Sequence, residues 1–82
     1  MIRVLYFASL RERLDCDAES LDAAPSTVAA LRRELATRGA PWAEVFASDQ
    51  RVLAAVNQTM AGDDQVLTDG DEIGFFPPVT GG

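Results

Sequence analysis

The 82-residue chain contains no histidine, no lysine and a single cysteine. Without histidine, no serine or cysteine can be activated by an imidazole base. One cysteine allows no internal disulfide and no zinc or iron–sulfur framework. Cys16 lies between Asp15 and Asp17, whose carboxylates raise a thiol's pKa, so it reads as a poor thiolate in a turn. Long apolar runs are also missing. Nothing approaches the ~20 residues needed to span a bilayer, and Met1-Ile2-Arg3-Val4-Leu5 lacks the features of a secretory leader. A cytoplasmic protein is the expectation. All seven basic residues are arginine, set against thirteen acidic ones for a net charge of −6. That balance argues against nucleic acid, which needs clustered cations, and fits either solubility or docking on a basic partner. Asp69, Asp71 and Glu72 lack the ligand spacing of a calcium loop, so no metal site is expected.

What is present is one small domain with an unusual ending. The chain is 48% hydrophobic, which is globular rather than disordered. A domain of this size buries only about 60% of its unfolded surface. Its last stretch, Ile73-Gly74-Phe75-Phe76-Pro77-Pro78-Val79-Thr80-Gly81-Gly82, runs from an apolar strand through a stiff Pro-Pro step to two glycines. Domain ends are ordinarily polar and frayed. Pro77 and Pro78 favour an extended path, and six extended residues reach roughly 20 Å. Gly81 and Gly82 surround the terminal carboxylate with backbone alone, so the tip can enter a channel too narrow for any other residue. The α-carboxylate of Gly82 is therefore the expected working group. The domain is expected over residues 1–76 and the protruding tail over 77–82.

Alternation predicts a first strand from Ile2, with Ile2, Val4 and Tyr6 on one face and Arg3, Leu5 and Phe7 on the other. Ser9 to Leu14 reads as a short helix capped by Ser9, and Ala18 to Leu21 as a second strand returning antiparallel. A main helix begins at Ser26 or Thr27, with Val28, Leu31 and Leu35 as its buried stripe, a Glu34–Arg38 pair and Gly39 as its stop. Arg32 and Arg33 are expected in water. Pro41 opens a short helix that lays Trp42, Val45 and Phe46 on the core. Ser48-Asp49-Gln50 reads as a turn. Arg51 to Asn57 forms a third strand with two apolar faces, expected to be covered on both. Val66 and Leu67 suggest a short strand, and Asp69-Gly70 a tight turn. The last strand carries Ile73 and Phe75 on one face and Glu72, Gly74 and Phe76 on the other.

This order predicts an α+β, ubiquitin-like β-grasp: a mixed sheet crossed by one main helix, with first and last strands adjacent at its centre and an extended Gly-Gly tail. Phe7 and Phe76 then meet on the uncovered face, and Met60 joins them from a loop. An outward Phe76 beside a rigid tail suits a surface that a partner covers.

Three segments carry a resemblance: Phe7-Ala8-Ser9-Leu10-Arg11-Glu12, Ala55-Val56-Asn57-Gln58, and Leu67-Thr68-Asp69-Gly70-Asp71-Glu72 leading to Phe76-Pro77-Pro78-Val79-Thr80-Gly81-Gly82. Together they resemble the small subunits of molybdopterin synthase, over essentially the whole chain. The resemblance implies a ubiquitin-like sulfur carrier with no cofactor of its own and no catalysis alone. A ubiquitin-activating-type enzyme would adenylate Gly82 with ATP and magnesium, and a sulfur donor would convert it to a thiocarboxylate. The tail of Pro77, Pro78, Val79, Thr80, Gly81 and Gly82 would enter the large synthase subunit within a heterotetramer and give sulfur to cyclic pyranopterin monophosphate. Phe7, Arg11, Met60 and Phe76 match the family's partner contacts.

Three other readings compete. A carrier for thiamine thiazole synthesis shares the fold and the Gly-Gly end, but its tails generally lack Phe-Phe-Pro-Pro-Val. A protein modifier would join lysines through Gly82. A β-grasp binding module would recruit a partner through its exposed phenylalanines with no tail chemistry, and would be indifferent to deletion of Gly82.

Overall fold

The computed structural model describes residues 1–47 and 51–78. The expected Ser48-Asp49-Gln50 turn and the tail residues Val79, Thr80, Gly81 and Gly82 lie outside the described residues. In chain order the elements are β1 (Ile2–Tyr6), α1 (Ser9–Leu14), β2 (Ala18–Leu21), α2 (Val28–Ala36), α3 (Trp42–Val45), β3 (Leu53–Val56), β4 (Thr59–Ala61) and β5 (Glu72–Phe76). The strands form one sheet in the order β2-β1-β5-β3-β4. First and last strands run parallel side by side, with Val4 opposite Ile73 and Tyr6 opposite Phe75. The other pairings are antiparallel. This is the mixed β-grasp sheet that the alternation predicted.

The inner face is dictated by that alternation. Ile2, Val4, Tyr6, Ala54, Ile73 and Phe75 are all buried. Against them α2 lays Val28, Leu31 and Leu35, spaced to share one helix face, and α3 adds Val45 with Phe46 just beyond it. Fully burying one such side chain contributes roughly 1.5–3 kcal/mol.

Helix α2 begins where Thr27 caps it, its Oγ1 accepting from the Ala30 amide at 3.2 Å. Two more of its free amides are satisfied from the loop before β5: Val28 N donates to the Gln65 carbonyl and Ala29 N to that of Asp63, each at 3.0 Å. Gly39, at φ +84, supplies the left-handed residue that turns the chain after the helix.

Several expectations are corrected. Ser9 does not cap α1; the cap position is Ala8, at φ 54, with no side-chain hydrogen bond. Met60 lies within a strand, β4, rather than in a loop. Val66 and Leu67 form no strand; Val66 makes an isolated bridge to Thr27. The β3 strand is shorter than Arg51 to Asn57, and Leu53 and Ala55 on its outer face are only half-buried, so no element of the described chain covers them. Arg38 pairs with Glu19, not Glu34. Arg32 is not free in water: its Nε lies 2.8 Å from Asp63 Oδ1, and its guanidinium sits 5.5 Å from the Phe75 ring centre. Among the described residues, no helix is long and apolar enough to cross a membrane.

Candidate functional site

The helices cover one face of the sheet and leave the other open. Register fixes what that outer face carries. Leu5 on β1 stands opposite Gly74 on β5, Gly74 opposite Ala55 on β3, and Ala55 opposite Met60 on β4. These residues form one apolar row, spanning roughly 15 Å at ordinary strand spacing. In the next row, Phe76 lies opposite Leu53.

Phe7 completes the surface. Its amide donates to the Phe75 carbonyl at 3.1 Å, extending the β1–β5 ladder by one residue. One edge of its ring faces Gly74, where a β-carbon would stand 2.8 Å from Phe7 Cε2. The chain then turns sharply at Ala8, whose φ of 54 and ψ of −131 belong to a region L-residues rarely adopt. That turn ends the strand directly after Phe7, so the ring sits at a corner and is not followed by a further pair.

Phe7 is 46% exposed and Met60 61% exposed; Phe76 is half-buried. The expected trio thus shares one face, with Gly74, Ala55 and Leu53 as its floor. Arg11 stands apart from this row: it is exposed on α1 and lines a shallow cleft with Asp15, Cys16 and Asp17. Pro77 and Pro78 follow β5 outside the strand and are half-buried. The expected roles of Val79, Thr80, Gly81 and Gly82 fall on residues outside those described.

Cys16 is not arranged as a nucleophile. The Cys16 thiol is pushed up, chiefly by burial and then by the Glu19 charge, and its Sγ donates to the Ala18 carbonyl at 3.6 Å. Among the described residues, no group of three or more cysteine and carboxylate side chains could hold a metal ion.

One polar cluster has no counterpart in the sequence reading. Tyr6 OH donates to Glu19 Oε2 at 2.8 Å. Arg38 grips both Glu19 oxygens at 2.8 Å while its guanidinium stacks 4.5 Å from the Trp42 ring centre. Hydrogen bonds from Arg38, and secondarily from Tyr6, hold the Glu19 carboxyl below the usual carboxylate range. Burial and the Glu19 bond push the Tyr6 hydroxyl far up, so it remains a donor. The cluster ties the β1–β2 hairpin to the chain after α2, behind the apolar face. Gly74's part as the seat for Phe7 was also missed, although alternation already put it between Glu72 and Phe76 on the outward side.

Comparison with known proteins gives a consistent result. The model of the ThiS family matches residues 4–82. The molybdopterin synthase sulfur carrier subunit of Escherichia coli (strain K12) is 51% identical over 82 residues, covering 100% of both chains. Its counterpart in Haemophilus influenzae is 43% identical over 82 residues, again covering 100% of both. Among solved structures, SAMP1 from Haloferax volcanii, a small archaeal modifier protein, is 26% identical with a TM-score of 0.76, covering 99% of this chain and 98% of that one.

Proposed function

The chain is a member of the ThiS family, and from that premise we propose that it is a sulfur carrier of molybdenum cofactor biosynthesis. The observation that carries this reading is the shared outer face of Phe7, Met60 and Phe76, from which β5 runs directly into the Pro-Pro step of the tail. End-to-end identity to two molybdopterin synthase sulfur carrier subunits supports it over the thiamine thiazole alternative.

In this reading the folded domain aims and the tail reacts. A carboxylate is a poor acyl donor, because its charge repels nucleophiles. A ubiquitin-activating-type enzyme, using ATP and magnesium, joins the Gly82 carboxylate to AMP and releases pyrophosphate. Sulfide from a donor displaces AMP, leaving a thiocarboxylate whose charge rests largely on a soft, nucleophilic sulfur. The large synthase subunit covers the outer face through Phe7, Met60 and Phe76, with Arg11 as a polar contact. Pro77, Pro78, Val79 and Thr80 lead Gly81 and Gly82 into its channel. Sulfur passes to cyclic pyranopterin monophosphate, and Gly82 regains its oxygen from water. Acids and bases come from the partners, and the carrier contributes position. The assembly is a cytoplasmic heterotetramer of two large and two small subunits, and this chain binds no cofactor of its own.

The likeness to SAMP1 keeps a protein modifier as the second reading. One experiment separates the two. Incubation with ATP, a cognate activating enzyme and a sulfur donor should change the intact mass by one sulfur-for-oxygen exchange at Gly82. A modifier would instead accumulate as an isopeptide on lysines of other proteins. An unchanged mass with a competent enzyme would overturn the carrier reading.

A further inference from the structure

A second surface lies beside the apolar face and plays no part in the tail chemistry. Between the β3–β4 turn and the loop before β5 is an open concavity of about 560 Å³, lined in part by Asn57, Thr59, Met60, Val66 and Asp71. Two aliphatic side chains stand in water at its rim, Met60 at 61% and Val66 at 60% exposure. The wall bearing Val66 is firmly built. Val66 bridges to Thr27, while Leu67 N donates to the Ser26 carbonyl and the Gln65 carbonyl accepts from Val28 N, each at 3.0 Å.

The charge of this hollow is one-sided. Asp71 accepts from Thr68 N at 2.9 Å, Thr68 Oγ1 at 3.2 Å and Asn57 Nδ2 at 3.0 Å. All three donors are neutral, so they fix the carboxylate in place and leave its charge uncompensated. They also hold its pKa below the usual range, the Thr68 amide foremost. The neighbouring Asp63 and Asp69 are matched by Arg32 and the Met1 ammonium respectively. No arginine is among the residues described as lining the hollow. An aliphatic rim with a fixed anion in its wall is complementary to a long cationic side chain, whose methylene stem prefers apolar surface while its head seeks a carboxylate.

Met60 belongs to both surfaces: it ends the apolar row and borders the hollow. A protein lying on Phe7 and Phe76 therefore reaches the mouth of the hollow. We infer that the concavity receives an arginine or lysine side chain from an extended segment of the same protein that covers the outer face, with the head at Asp71 and the stem across Val66 and Met60. The contact orients the partner and speeds its encounter. This inference rests on the carrier reading, which requires such a partner.

The test uses the full chain and the large molybdopterin synthase subunit, with affinity measured by calorimetry at low and high salt. Val66 is exposed, so substitutions there leave the fold intact, as circular dichroism would check. Val66→Lys places a like charge where the cation docks and should weaken binding about five- to tenfold, with a shallower salt dependence. Val66→Glu should bind as tightly as the original chain or more so. Equal weakening by both substitutions, or Val66→Lys within about twofold of the original, overturns the inference. So does self-association of the free chain that Val66→Lys abolishes, which would make the occupant a second copy. Thiocarboxylate formation, read by mass on the same samples, reports separately on the carrier reading. If the original chain is sulfurated and bound while Val66→Lys is neutral, only the docking inference falls. If the original chain is neither sulfurated nor bound, both fall.

Discussion

The ring of Phe7 is seated on Gly74, at the centre of the sheet's open face. A β-carbon at Gly74 would come within 2.8 Å of Phe7 Cε2, so the missing side chain on β5 is what lets the edge of the ring approach so closely. The backbone at Gly74 needs no left-handed conformation, since its φ is not among the positive values. The glycine is there for space.

Gly74→Ala should therefore separate folding from recognition. The ring is half-exposed and can swing outward, so stability should stay within about 1 kcal/mol of the original. Displacing the ring should cost partner affinity about tenfold, or ~1.4 kcal/mol. Thermal unfolding and calorimetry with the large subunit check the two halves. Unchanged affinity would show that the ring's seat does not matter.

Phe76 occupies the same face one row further along, opposite Leu53, at the root of the tail. Truncation to alanine should weaken partner binding by roughly 1–3 kcal/mol if this residue anchors the interface. Its half-burial in the free chain means part of any stability loss is independent of binding, so unfolding must be measured alongside affinity. A stability loss without an affinity loss would reassign Phe76 to the domain itself.

Glu19 and Arg38 predict a pH dependence. The Glu19 carboxyl titrates below its ordinary value of 4.5 in the folded chain, mainly because Arg38 donates to it. The unfolded chain therefore binds the proton first as pH falls. The stabilisation is complete above the ordinary carboxylate range and is lost as pH drops through the lower, folded value. Arg38→Ala should cost about 1–3 kcal/mol at neutral pH, from two charge-assisted hydrogen bonds and the Trp42 stacking. It should also flatten the acid limb of the stability profile. Denaturant melts between pH 3 and 7, on the order of that titration range, would reveal an unaltered acid limb if the pair is inert.

Much of this architecture was readable from the chain. Strand alternation put Ile2, Val4 and Tyr6 inward and Phe7 and Phe76 outward, and the helical stripe named Val28, Leu31 and Leu35. What escaped was set by partners distant in sequence. Arg38 falls past Thr37, the C-cap of α2, so the regular helical spacing to Glu34 no longer holds and Glu19 on β2 captures it. Val66 and Leu67 have strand composition, yet their segment is committed to the start of α2. Three residues of β4 are too few for alternation to register. Ala8 took the cap position from Ser9 because the backbone must turn immediately after Phe7. Arg32 was read as solvated, but Asp63 and the Phe75 ring hold it against the body.

We propose that reactivity resides at the carboxylate of Gly82 and that the folded domain delivers it. The most direct measurement compares the native chain with one carrying a C-terminal amide in a reconstituted assay for sulfur incorporation into the pterin. The amide should fold identically and bind the large subunit, yet yield no sulfurated product. Full product from the amide would show that the Gly82 carboxylate is not the reacting group.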